Sequence, residues 1–189
     1  MKKMLQILSM MIFLVSCGIE KKDDPVVDAE AEKKAVHDVV VLYHKAAEDL
    51  NFAQMEETLA ENVIFYGTDS AETIKSRAEF QDKFKQQQST YKIKYLNLVD
   101  ETILMDDKAT VASIIYGMPI NITYDGKVYH AFTRNAKNLK KEKGRWVISS
   151  GMIGLAATGP DYTEFLQKLS GKADSTTAAP EQDKKNKPK

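Results

Sequence analysis

The stretch Ile120 to Leu139, I-N-I-T-Y-D-G-K-V-Y-H-A-F-T-R-N-A-K-N-L, holds two runs of alternating character on either side of Asp125-Gly126. Asp-Gly between such runs marks a two-residue hairpin turn, whose central residues both need positive φ. Counting outward from that turn places Tyr124 opposite Lys127, Thr123 opposite Val128 and Asn121 opposite His130. Successive side chains on a strand point to opposite faces, so Asn121, Thr123, His130, Phe132 and Arg134 share one face and Ile120, Ile122, Tyr129 and Ala131 the other. The apolar set is the more natural core face. The alternative, with the first set inward, puts His130 and Arg134 at a polar spot in an apolar interior, and the pattern leaves both arrangements open.

Working outward, Lys141 to Gly144 turns the chain into a strand at Trp146 to Ile153. On the other side, Asp106-Asp107-Lys108 leads into a strand at Ala109 to Tyr116, which Gly117-Met118-Pro119 is expected to break. Tyr91, Ile93 and Tyr95 alternate with lysines, after which Leu96 and Leu98 take the opposite parity; a β-bulge near Tyr95 absorbs such a slip. Ser76-x-x-Glu79 has capping-box spacing and predicts a helix from Arg77 to about Gln88. Gly67-Thr68-Asp69 before it reads as a turn, and Asn62 to Tyr66 as a strand. Val36, Val40, Tyr43, Ala47 and Leu50 form the stripe of a helix over Asp28 to Leu50, and Phe52, Met55 and Leu59 suggest a short second helix. Helices followed by a run of antiparallel strands make an α+β domain, its helices packed on one face of a curved sheet.

The segment F-Y-G-T-D-S-A-E-T-I-K-S-R-A-E-F at 65–80, with R-W-V-I-S-S at 145–150, resembles the SnoaL-like branch of the nuclear transport factor two-like superfamily. The resemblance runs from Glu30 to Gly154. It implies a cone-shaped barrel of curved antiparallel sheet wrapped around the N-terminal helices, open at one end to an apolar pocket, and often a homodimer through the outer sheet face. Relatives in that superfamily include isomerase-like enzymes, cyclases, dehydratases and protein-docking domains, so the fold does not select a function.

The N-terminus carries a separate message. Lys2 and Lys3 precede an apolar stretch, Met4 to Val15, that is too short to span a bilayer, and Leu14-Val15-Ser16-Cys17 ends it at the only cysteine of the chain. This resembles a bacterial lipoprotein precursor, in which residues 1–16 are a signal peptide and Cys17 is lipidated. Residues 17–27 then form a polar tether, 28–169 the folded domain and 170–189 a polar tail with too little apolar content to order itself. The resemblance implies attachment to a membrane of the cell envelope, with the outer membrane favoured because Gly18, and not an aspartate, follows the cysteine. Lys22-Asp23-Asp24 is similar to surface-export tags and equally to a solvated linker. Basic and acidic residues balance at 27 each and are interspersed, which argues against nucleic acid as a partner.

Candidate site residues are few. Tyr66, Asn121, His130 and Arg134 are the pocket candidates, and an apolar small molecule the expected ligand. The preferred function is a non-catalytic binding or interaction module. The alternative is an enzyme on a hydrophobic substrate with His130 as acid or base and Arg134 stabilising negative charge, or with Asp69 reaching in from its loop; an isomerase or cyclase needs a desolvated acid–base pair. His37 and His44, about 10 Å apart along the first helix, read as surface or flanking residues and not as metal ligands. No cofactor motif is present, and the lone cysteine excludes an intrachain disulfide.

Overall fold

A computed structural model of the chain describes residues 27–68, 72–156 and 160–176. The expected signal peptide, Cys17, the tether up to residue 26, Asp69 and the residues beyond 176 lie outside the described residues.

Helix α1 (Ala29–Glu48) begins at Asp28, whose carboxylate accepts from the Ala31 N–H. Val36, Val40 and Ala47 from the anticipated stripe are buried, whereas Leu50 lies past the helix end at φ 59 and half exposed. Helix α2 (Phe52–Glu57) leads into β1 (Leu59–Tyr66), and a two-residue strand β2 (Thr73–Ile74) pairs with its end. Helix α3 (Arg77–Thr90) starts at Ser76, whose Oγ accepts from the Glu79 N–H. The Glu79 carboxylate reaches back one residue further than a capping box requires, to the Lys75 N–H.

The remaining strands are β3 (Lys92–Tyr95), β4 (Val99–Met105), β5 (Val111–Tyr124), β6 (Lys127–Glu142) and β7 (Arg145–Leu155). The hairpin register is the one counted from the turn, Tyr124 to Lys127 and Asn121 to His130, with Asp125 and Gly126 at φ 52 and 75. Lys143 and Gly144, at φ 52 and 79, repeat that geometry between β6 and β7. The slip near Tyr95 divides β3 from β4, and both pair with β5.

Four features depart from the sequence expectation. Strand β5 runs straight through Gly117-Met118-Pro119. Pro119 is tolerated because its carbonyl accepts from Leu96, so its nitrogen faces the same side, at the gap between β3 and β4 where no ladder donor is needed. The sheet is mixed and not purely antiparallel, because β1 pairs in parallel with β7. It is curved and unclosed, with strand order β2-β1-β7-β6-β5-β3 and β4 against β5. Finally, a fourth helix, α4 (Pro160–Thr176), follows β7 and buries Phe165 among Tyr91, Tyr124, Tyr129 and Tyr162. It extends into the segment expected to be an unordered tail.

Candidate functional site

The inner face of the hairpin is the set Ile120, Ile122, Tyr129 and Ala131, all buried. Parity carries this face along β6 to Thr133, Asn135, Lys137 and Leu139, which are also buried. Three polar side chains thus stand in a row on the concave side of the sheet, and α1 and α3 pack over it. Between them lies a cavity of about 520 Å³, a size that suits a small organic ligand. Phe65, Phe80, Phe84, Ile93, Ile120 and Ile122 supply much of its apolar wall, and Phe165 and Leu169 of α4 border it.

Lys137 is the most unusual group there. It is only 5% exposed, and its Nζ lies 4.7 Å from the centre of the Tyr43 ring and 5.0 Å from that of Phe65. Ring faces attract a cation but replace only part of its hydration. Burial pushes the amine down to about 8, and no carboxylate among the described residues offsets the shift. His44 stands nearby, its ring centre 5.1 Å from that of Tyr43. Its Nε2 is 2.7 Å from the Tyr116 hydroxyl, while its Nδ1 has no partner. Burial, followed by the positive charge of Lys137, holds His44 well below the ordinary histidine range, so the ring is neutral.

Asn135 completes the polar end. Thr133 Oγ1 donates to the Met118 carbonyl at 3.2 Å and accepts from Asn135 Nδ2 at 2.9 Å, which fixes the amide orientation and leaves Asn135 Oδ1 without a partner. Buried polar atoms are usually satisfied, so the unpartnered His44 Nδ1 and Asn135 Oδ1, on residues that line the same cavity as Lys137, stand out as exceptions. The only carboxylate among the described lining residues is Glu72, which is exposed and accepts from the Thr68 N–H at 2.8 Å.

The anticipated site residues are distributed differently. Asn121, His130 and Arg134 do not line the cavity. His130 and Arg134 are exposed on the opposite face, and His130 Nδ1 is 2.8 Å from Asn121 Oδ1. The physical reason is that near the turn the alternate parity presents the apolar set Ile120, Ile122, Tyr129 and Ala131, whose burial fixes the orientation of the whole hairpin. Tyr66 is at the cavity rim, 54% exposed, while its neighbour Phe65 points inward. His37 is half-buried at the helix flank beside Glu101, with Nδ1 2.7 Å from Oε2, but His44 is a core residue and not a surface one. Its position was visible in the α1 stripe, four residues after Val40 and three before Ala47. Among the described residues no group of three or more His, Cys, Asp or Glu could hold a metal ion, and no helix is long and apolar enough to cross a membrane.

An unclosed curved sheet with helices packed over an apolar cavity is the nuclear transport factor two-like, or cystatin-like, α+β fold. Residues 36–156 match the SnoaL-like domain, and the chain belongs to that family. Among solved structures it is similar to a provisionally named scytalone dehydratase from Novosphingobium aromaticivorans, with 11% identity and a TM-score of 0.62 over 70% of this chain and 89% of that one. A nuclear transport factor two-like protein from Cytophaga hutchinsonii shares 14% identity, with a TM-score of 0.56 over 66% and 98% of the two chains. A provisionally named calcium/calmodulin-dependent protein kinase II association domain from Xanthomonas campestris shares 18%, with a TM-score of 0.56 over 71% and 93%. No curated protein sequence matches the chain. At these identities the likeness carries the fold and not an activity.

Proposed function

We propose that this protein is a lipid-anchored component of the cell envelope, attached at the outer membrane through Cys17, whose SnoaL-like domain binds an apolar small molecule without transforming it. The observation that carries the reading is the cavity of about 520 Å³ between the concave sheet face, α1, α3 and α4. Its polar groups suit holding better than chemistry. Glu72, the one carboxylate among the described lining residues, is exposed and already accepts a backbone hydrogen bond, so among the described residues no desolvated carboxylate base faces the interior. The test has two parts. Fractionation of cells carrying the wild-type chain or Cys17→Ser is expected to move the protein from membrane to soluble fraction, and an unchanged membrane association removes the anchor. Native mass spectrometry of the purified protein is expected to detect a co-purifying small molecule, and failure to bind any apolar probe removes the binding role.

A second reading is favoured by the other side of the sheet. Ile64, Leu104, Val111 and Ile115 are each 40–60% exposed there, flanking a polar row in which Ser113 Oγ donates to Asn138 Oδ1 and Asn138 Nδ2 to Ser150 Oγ. Such a face supports self-association into a homodimer. Sedimentation is expected to show a dimer that Ile115→Glu dissociates, and a monomer at every concentration rules the dimer out.

A further inference from the structure

We infer that the ligand of this cavity is an amphipathic acid, its carboxylate held at the polar end by the Lys137 ammonium and the His44 ring and its apolar body laid against the aromatic wall. The inference rests on the reading of the cavity as a small-molecule site and adds to it the chemical class of the occupant.

Three independent observations point the same way. Lys137 is a buried cation whose nearest compensation is two ring faces, so an anion entering the cavity supplies the counter-charge that the fold itself omits. His44 presents an unpartnered ring nitrogen against the same Tyr43 ring. The tautomer in which the Tyr116 hydroxyl donates to Nε2 carries the imidazole proton on Nδ1, and it is the tautomer that a carboxylate oxygen beside Lys137 would select. The body of the cavity offers Phe80, Phe84, Ile93, Ile120 and Ile122, surface that only an apolar chain or ring fills well. A neutral apolar ligand would leave the ammonium uncompensated. A small hydrophilic anion would leave the aromatic wall uncovered. Asn135 Oδ1 accepts but does not donate, so it stands next to the carboxylate site as the partner for a ligand hydroxyl and not for the carboxylate itself.

The experiment uses the full-length chain carrying Cys17→Ser, so that no attached acyl chain competes for the cavity. N-phenyl-1-naphthylamine, a neutral apolar fluorophore, reports occupancy, and decanoate and 1-decanol compete for it at pH 7. Decanoate is expected to displace the fluorophore at roughly tenfold lower concentration than decanol, the effect of a charge-assisted pair in a buried site. In Lys137→Met the fluorophore and decanol are expected to bind as before, while the preference for decanoate disappears. Equal displacement by decanoate and decanol, or a decanoate preference that survives Lys137→Met, overturns the acid while leaving the cavity reading intact. Failure of the unsubstituted chain to bind the fluorophore overturns the cavity reading and the acid with it.

Discussion

The ammonium of Lys137 lies 4.7 Å from the centre of the Tyr43 ring, deep in the concave face of the sheet and without a carboxylate partner among the described residues. An ion in that position is a net cost to folding, since the ring quadrupole returns only part of what water gave. Lys137→Met keeps the length of the side chain and removes the charge. It is expected to raise stability below pH 8 by about 3 kcal/mol, the free energy equivalent of lowering an amine from its ordinary 10.5 to about 8. Between pH 8 and 10.5 the unfolded chain binds a proton at this site that the folded chain does not, so wild-type stability climbs with pH and the gap to Lys137→Met closes. Denaturant titrations of both proteins at pH 7 and pH 10 check this; a gap that stays constant refutes it.

His44 behaves oppositely to a surface histidine. Its folded-state affinity for a proton is depressed, chiefly by burial and next by Lys137. The unfolded chain takes up the proton first as pH falls through 6.5, so the contribution of His44 to stability is full above that pH and is lost below it. Wild type is expected to lose more stability than His44→Gln between pH 7 and pH 5, measured by thermal melting.

Tyr116→Phe tests the hydrogen bond that orients the imidazole. Removal of the hydroxyl strands His44 Nε2 in a dry site, at a cost of about 1–3 kcal/mol. A loss well under that range, read from denaturant midpoints, would mean that another group satisfies the ring.

Phe165 attaches α4 to the sheet. It is 3% exposed and meets four tyrosine rings, so Phe165→Ala is expected to cost about 3–5 kcal/mol if α4 folds with the domain. Hydrogen exchange along α4 checks whether the helix loosens; an unchanged exchange pattern would detach α4 from the core.

Gly151 marks where Phe65 needs room. A Cβ there would lie 2.9 Å from Phe65 Cε1 and 3.1 Å from the Ala136 carbonyl, in a buried strand position. Gly151→Ala is expected to lower stability by about 1–3 kcal/mol and to reduce binding of the neutral fluorophore, because Phe65 must shift into the cavity. Binding and melting curves of the variant check both effects.

The hairpin was legible because its information is local. Asp125-Gly126 sets the turn, the turn sets the register, and alternation sorts the side chains into two faces. Selecting the inner face needed only the apolar content of Ile120, Ile122, Tyr129 and Ala131, and following that parity past Ala131 leads to Thr133, Asn135 and Lys137. His130 and Arg134, the catalytic residue types of the hairpin, lie on the parity that faces away from the cavity, and the inner parity carries Lys137 instead. The α3 cap was legible for the same local reason. Pro119 was misleading because its tolerance depends on a gap in the neighbouring strand. The parallel pairing of β1 with β7 was invisible because polarity between distant strands leaves no mark on either one.

The sequence by itself determined α1 to α3, the strands on either side of the Asp125-Gly126 turn and their register, the α+β class and, through resemblance, the family, since each rests on short-range periodicity, turn chemistry or motif. Tertiary structure decided the rest. It closed α4 over the sheet and placed His44 of α1 and Lys137 of β6, 93 positions apart in the chain, each beside the Tyr43 ring and in the lining of one cavity. Burial is a property of everything packed around a residue, so a lysine becomes an uncompensated cation only when the whole domain has excluded water from it.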